Sequence, residues 1–216
     1  MNVLVLAPHN DDEILGVGGT IKKLIKEGHD VYVCEVTSGI HFALLQEEAK
    51  RAHRLLGVKQ SFFLNLSVGK LKSMEQSNLN AALLEVVKLT QPDIAFLPFI
   101  GDMHIDHREV TESAMVVLRP IGDYSIREIY MYETLSETGW NIPIEGRCFN
   151  PNMWVDITDT IEDKLGAMSC YESQLIEYPH PRSKEAISAL AQFRGATVGV
   201  PYAESFMLVK IGRAHV

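Results

Sequence analysis

The chain has little cysteine. Cys34, Cys148 and Cys170 are three in 216 residues, odd in number and without CxxC spacing. They point to reduced thiols rather than a disulfide framework, and so to a cytoplasmic location. No apolar run approaches the ~20 residues that a membrane helix needs. The first residues lack the basic and long apolar regions of a secretory signal. Basic charge is also short, with 20 Lys and Arg against 28 Asp and Glu and a net charge of −8. That argues against unaided nucleic-acid binding, which needs a basic stripe. A small anionic ligand held by a few local Arg or Lys residues stays open. Internal repeats and low-complexity linkers are absent, so one domain over 1–211 is expected, with 212–216 a tail or an appended scar.

What is present is alternation. With 46% apolar residues the chain has ample material for a core. Strands are expected at 2–7, 31–36, 61–64, 93–97, 128–132, 153–157 and 206–211. Helices are expected at 13–27, 43–56, 79–89, 107–118, 159–171 and 183–193. Strands alternating with helices predict an α/β fold, a Rossmann-like, mostly parallel sheet with helices on both faces. In such sheets ligands bind beyond the carboxyl ends of the strands.

Two polar clusters follow two of those strands. Val3-Leu4-Val5-Leu6 runs into Ala7-Pro8-His9-Asn10-Asp11-Asp12-Glu13, and Asp102-Met103-His104-Ile105-Asp106-His107 follows the strand at 93–97. Unpaired charge at a buried strand end is costly, and a divalent metal would make such a cluster favourable. His9, Asp12 and His107 offer two imidazoles and one carboxylate, the ligand count of a catalytic zinc site with an open position. Asp11 projects differently from Asp12 and suits a general base acting on a metal-activated water. His104 suits oxyanion stabilisation or protonation of a leaving amine. Together these make a set for amide hydrolysis. Asp106 with Glu109 resembles a helix capping box, a role that suits it better than that of a ligand, and with Glu13 it is expected just outside the ligand set. Glu13 favours the positive end of the first helix, or bonds to a metal-bound histidine from outside the ligand set. Each cluster alone is equally readable as a solvated polar loop; their convergence on one sheet rim favours a site.

At these residues the chain resembles the PIG-L/LmbE-like family of zinc-dependent N-deacetylases. Members carry His-Pro-Asp-Asp-Glu after the first strand and His-x-Asp-His later. Here the motifs are His9-Asn10-Asp11-Asp12-Glu13 and His104-Ile105-Asp106-His107. The likeness continues in Gly18-Gly19-Thr20, Glu47-Glu48-Ala49, His180-Pro181-Arg182-Ser183 and Tyr202-Ala203-Glu204-Ser205-Phe206. It implies one Zn2+ per chain on His9, Asp12 and His107, Asp11 as base, and His104 as oxyanion or acid group. It also implies an N-acetylated amino sugar or glycoconjugate as substrate, and a homo-oligomer, trimer or hexamer. Asn10 stands where the family has Pro. Leu44-Leu45-Gln46 stands where many relatives have an Arg before the Glu-Glu-Ala.

Arg182, His180, Tyr202 and Glu204 are the candidate substrate contacts, each equally readable as turn or strand-entry structure. Arg182 suits an anionic group and Glu204 sugar hydroxyls or an Arg. Two further readings share the metal core: a zinc amidase of thiol or glycan conjugates, and a non-catalytic carbohydrate-binding relative that keeps its metal. A receiver domain also places an acidic pair after its first strand. It needs a phosphoacceptor Asp after the third, where this chain has Asn65.

Overall fold

A computed structural model describes residues 1–120, 126–142 and 144–211, so the expected tail at 212–216 lies outside the described residues. Its strands are β1 (Asn2–Ala7), β2 (Asp30–Ser38), β3 (Gln60–Ser67), β4 (Ile94–Pro98), β5 (Glu128–Tyr132), β6 (Met153–Asp156) and β7 (Ala203–Ile211). They form one sheet in the order β3-β2-β1-β4-β5-β7-β6. β1 to β5 pair in parallel, and β7 runs antiparallel to both β5 and β6.

The period-2 pattern of β1 builds both faces. Val3 and Val5 join one core with helices α1 (Asp12–Lys26), α2 (Phe42–Leu56), α6 (Ile161–Met168) and α7 (Lys184–Ala196). Leu4 and Leu6 join the other with α3 (Gln76–Thr90) and α4 (Ile105–Val117). β1 is buried throughout from Val3 to Ala7, as a parallel strand covered on both faces must be.

Glycines let α1 lie close to the sheet. A Cβ at Gly16 would fall on the Tyr132 ring, 2.8 Å from Cγ, and one at Gly19 would fall 2.8 Å from Ile157 Cδ1. The expected Gly18-Gly19-Thr20 stretch is therefore a close-approach surface.

The order of strands makes the site. The chain leaves β1 towards β2 and β3, then crosses back to β4 on the other flank of β1. The carboxyl ends of β1 and β4 therefore bound a topological switch point, where open α/β sheets leave a crevice. Both His/Asp clusters sit there.

Most expected elements occur within a few residues of their bounds. β3 is longer than 61–64 because the nine-residue β2 gives it a partner as far as Ser67, with a register shift between Glu35 and Thr37. β7 starts at Ala203 rather than 206, since Ala203–Phe206 pairs with all of β6. The helix expected over 159–171 is only Ile161–Met168. A short helix α5 (Leu135–Thr138) and a 3₁₀ turn at Leu71–Ser73 were not expected, being too short to show a helical period.

Candidate metal centre and active-site cleft

The loop after β1 is anchored by β2, because Thr37 donates to the Pro8 carbonyl from both its backbone N–H (2.9 Å) and its hydroxyl (2.7 Å). Asp11 then takes φ 106° and ψ −25° at the N-terminus of α1. A left-handed backbone at a non-glycine residue costs on the order of 1–3 kcal/mol and clusters at functional sites. Asp11 and Asp12 take different partners: Asp11 Oδ2 lies 3.1 Å from Arg182 Nε and Asp12 Oδ2 lies 3.1 Å from His107 Nε2.

Asp12 is the centre of the cluster. Its Oδ2 accepts the His9 backbone N–H at 2.9 Å and lies 3.2 Å from His9 Nδ1 and 3.1 Å from His107 Nε2. His107, in the first turn of α4, is fully buried, and its Nδ1 lies 2.8 Å from Asp102 Oδ2. Asp102 in turn accepts the Thr138 hydroxyl at 2.5 Å. A carboxylate behind one ring nitrogen fixes the tautomer and presents the other nitrogen. His107 Nε2 and Asp12 Oδ1 are buried without a hydrogen-bond partner. Metal-ligating atoms of His9, Asp12 and His107 all lie within 4.8 Å of one another.

The electrostatics point the same way. Burial disfavours the charged form of both histidines, yet Asp106 and Asp12 lift His9 to about 9. Against the same burial, Asp12 and Asp102 lift His107 to about 10. Burial also opposes charge on Asp12, but His107 and His9 hold its carboxyl well below the usual range. The carboxylates thus draw cationic charge into a dry site. A divalent cation supplies that charge and needs deprotonated ligands, so it competes with these protons. A buried Asp12 Oδ1 without a partner, His107 Nε2 turned towards Asp12 Oδ2, and a two-imidazole, one-carboxylate donor set fit such a cation.

His104 is the N-cap of α4, and its Nδ1 accepts the Asp106 backbone N–H at 3.1 Å. Accepting at Nδ1 leaves the proton on Nε2 of the neutral ring. Burial, with the charge of His9, pushes His104 down to about 4. Asp11 is fully buried, and burial raises its carboxyl well above the usual range, with Asp12 and Glu13 adding to this and Arg182 opposing. Arg182 Nε lies 3.1 Å from Asp11 Oδ2.

His9, His104 and Arg182 open onto a cleft of about 250 Å³ lined also by Asn10, Glu137 and Gln174, whereas Asp11, Asp12 and His107 are buried and do not line it. Leu45 also lines it, adding an apolar side chain to the wall. His180 does not line the cleft; its Nδ1 accepts the Arg182 backbone N–H at 3.1 Å. Asn10, standing where the family motif has Pro, donates through Nδ2 to Glu35.

Four expectations need correction. Asp106 does not cap α4, because His104 does; its carboxylate instead accepts backbone N–H groups from Gly69 at 2.6 Å and Leu71 at 3.4 Å, beside His9 Nε2 at 3.4 Å. Glu13 makes its hydrogen bonds to Tyr171 at 2.6 Å and His53 at 3.2 Å, in a buried cluster with Glu35, rather than to His9 or His107. Glu204 is not at the cleft. It accepts the Gly19 and Thr20 backbone N–H groups at 2.9 and 2.8 Å and pairs with the buried Lys164 at 2.5 Å, locking α1, α6 and β7 together. Tyr202 packs on the small core of Ile157, Ile161 and Ala191, and accepts from Gln192. Asp102 belongs to the second cluster in the sequence, and its five-residue spacing from His107 is the one signal there of its role behind the imidazole. Glu137, in an unforeseen four-residue helix, gave none.

Residues 4–118, just over half of the chain and spanning both clusters, match the family described as PIG-L, GlcNAc-PI de-N-acetylase. The diacetylchitobiose deacetylase of Thermococcus kodakarensis is 29% identical over 96% of this chain and 82% of its own. The N,N′-diacetylchitobiose deacetylase of Pyrococcus horikoshii, solved with its inhibitor, superposes with a TM-score of 0.78 at 26% identity, covering 96% of this chain and 83% of that one. A conserved protein from Thermus thermophilus shares the fold with a TM-score of 0.81 at 24% identity, over 100% of this chain and 97% of that one. No helix among the described residues is long and apolar enough to cross a membrane. The chain belongs to the PIG-L family of de-N-acetylases.

Proposed function

We propose that the protein is a zinc-dependent hydrolase that removes the N-acetyl group from an amino sugar of the N-acetylglucosamine type. The observation that carries this reading is the convergence of His9, Asp12 and His107, from two segments about a hundred residues apart in sequence, with His9 lining a cleft shared by His104 and by Arg182, which contacts the buried Asp11. The likeness to diacetylchitobiose deacetylases over nearly the whole chain supports the substrate class.

His9, Asp12 and His107 would hold the ion. When bound, zinc supplies Lewis acidity, making water nucleophilic near neutral pH and polarising the amide oxygen. Asp11 is the base: with its carboxyl raised by burial, it accepts the proton of the attacking water. His104, neutral and with its proton on Nε2, donates to the developing oxyanion. The C–N bond then breaks, and the proton held on Asp11 passes to the departing nitrogen. Acetate and the free amine leave. Arg182 holds the Asp11 carboxylate in place by its contact at 3.1 Å.

The test is zinc-loaded protein with N-acetylated amino sugars in ¹⁸O-labelled water. Acetate carrying one labelled oxygen, in equal amount to new amine, is the expected result. Absence of acetate across a panel of mono- and disaccharides contradicts the reading.

A further inference from the structure

The cleft is small for a sugar-processing site. Ligand pockets commonly enclose about 300–1,000 Å³, and this one encloses about 250 Å³. It has room for the reacting end of a substrate and opens at its rim, where a further sugar would extend. One segment of that rim, the residues following β5, has the chemistry to receive it. Glu137 lines the cleft, and its Oε2 is buried without a hydrogen-bond partner. Three residues on, Trp140 is 55% exposed, an uncommon setting for an indole. The indole is not loose: the His180 ring packs edge-on against it, with centroids 5.7 Å apart and planes at 85°. His180 is itself fixed to the backbone of Arg182, which reaches Asp11. Asn141 donates to the carbonyl of Gly101, tying the segment to the loop that carries His104. A pyranose has an edge of hydroxyls and a face of C–H groups. A free carboxylate oxygen matches the edge, and a braced aromatic ring matches the face.

We propose that Glu137 and Trp140 are the sugar-reading element of this cleft: Glu137 orients hydroxyls of the reacting amino sugar, and Trp140, braced by His180, stacks on the neighbouring pyranose. The inference rests on the deacetylase reading and narrows it to substrates of two or more sugars.

The experiment compares kcat/KM for N,N′-diacetylchitobiose and N-acetylglucosamine in the full chain with zinc. Trp140→Ala should lower the disaccharide-to-monosaccharide ratio about three- to tenfold, and Trp140→Phe should restore most of it. Glu137→Gln should lower kcat/KM on both sugars. An unchanged ratio in Trp140→Ala overturns the proposal. So does an unchanged ratio with a change in sedimentation, which assigns the indole to contact with a second copy. Should the unsubstituted protein turn over neither sugar, the deacetylase reading fails by itself. Indole fluorescence then decides: a saturable change with diacetylchitobiose that Trp140→Phe loses supports the platform, and its absence refutes it.

Discussion

Asp102 and His107 are joined on the side of the imidazole that faces away from Asp12: Asp102 Oδ2 lies 2.8 Å from Nδ1, and Asp12 Oδ2 lies 3.1 Å from Nε2. One carboxylate fixes the ring so that its other nitrogen faces the second. Partners of this kind usually carry a 10- to 100-fold effect on metal affinity. Asp102→Asn should weaken zinc binding by about that factor in a competition titration, while circular dichroism stays unchanged. Unaltered affinity would mean that the pair serves only packing.

Asp11→Asn should keep the metal and lower kcat by roughly 10²- to 10⁴-fold, the usual cost of a lost general base. Arg182 tests the same residue through pH. Burial raises the Asp11 carboxyl and Arg182 opposes that rise. The base works only when ionised, so activity falls as pH drops through its pKa. Removing the guanidinium raises that pKa further. The acid limb of the kcat/KM profile should therefore move to higher pH in Arg182→Gln; a limb that stays put or moves lower contradicts the contact.

Glu204→Ala should behave as a stability variant rather than a binding one. It leaves Lys164 buried and unpaired and frees the Gly19 and Thr20 N–H groups. Breaking such a pair costs about 3–5 kcal/mol. The urea midpoint should drop steeply, with KM of the remaining folded protein unchanged. A raised KM at normal stability would return Glu204 to the substrate site.

Gly16→Ala should lower the melting temperature. The added methyl meets the Tyr132 ring, whose hydroxyl is held by the Leu6 carbonyl at 2.8 Å, so the ring has little freedom to retreat. Overpacking costs about 1–3 kcal/mol, or roughly 2–10 °C for a chain of this size. A melting temperature equal to that of the unsubstituted protein would show that α1 and β5 can move apart.

The sheet was readable because Val3 to Ala7 and Ile94 to Pro98 are apolar runs bounded by polar loops, and because helical periods lie between them. The candidate metal residues were readable because two histidine–aspartate clusters follow neighbouring parallel strands of one sheet. What escaped notice was set by tertiary contact. Glu204 has the composition of a sugar ligand, and only the position of Lys164, forty residues away in sequence, turns it into a helix lock. Asp106 with Glu109 has capping-box spacing, but His104 reached the Asp106 N–H first, and the 3₁₀ turn at Leu71–Ser73 supplied donors for the freed carboxylate. Glu137 sits in a helix of four residues, too brief for any period.

The account turns on whether His9, Asp12 and His107 hold a metal ion. Elemental analysis of protein purified without added metal or chelator, then reconstituted with zinc, beside Asp12→Ala, tests this directly. About one zinc per chain, lost in the folded variant, is the predicted result for a two-imidazole, one-carboxylate site. No bound zinc after reconstitution, or equal zinc in Asp12→Ala, would contradict it.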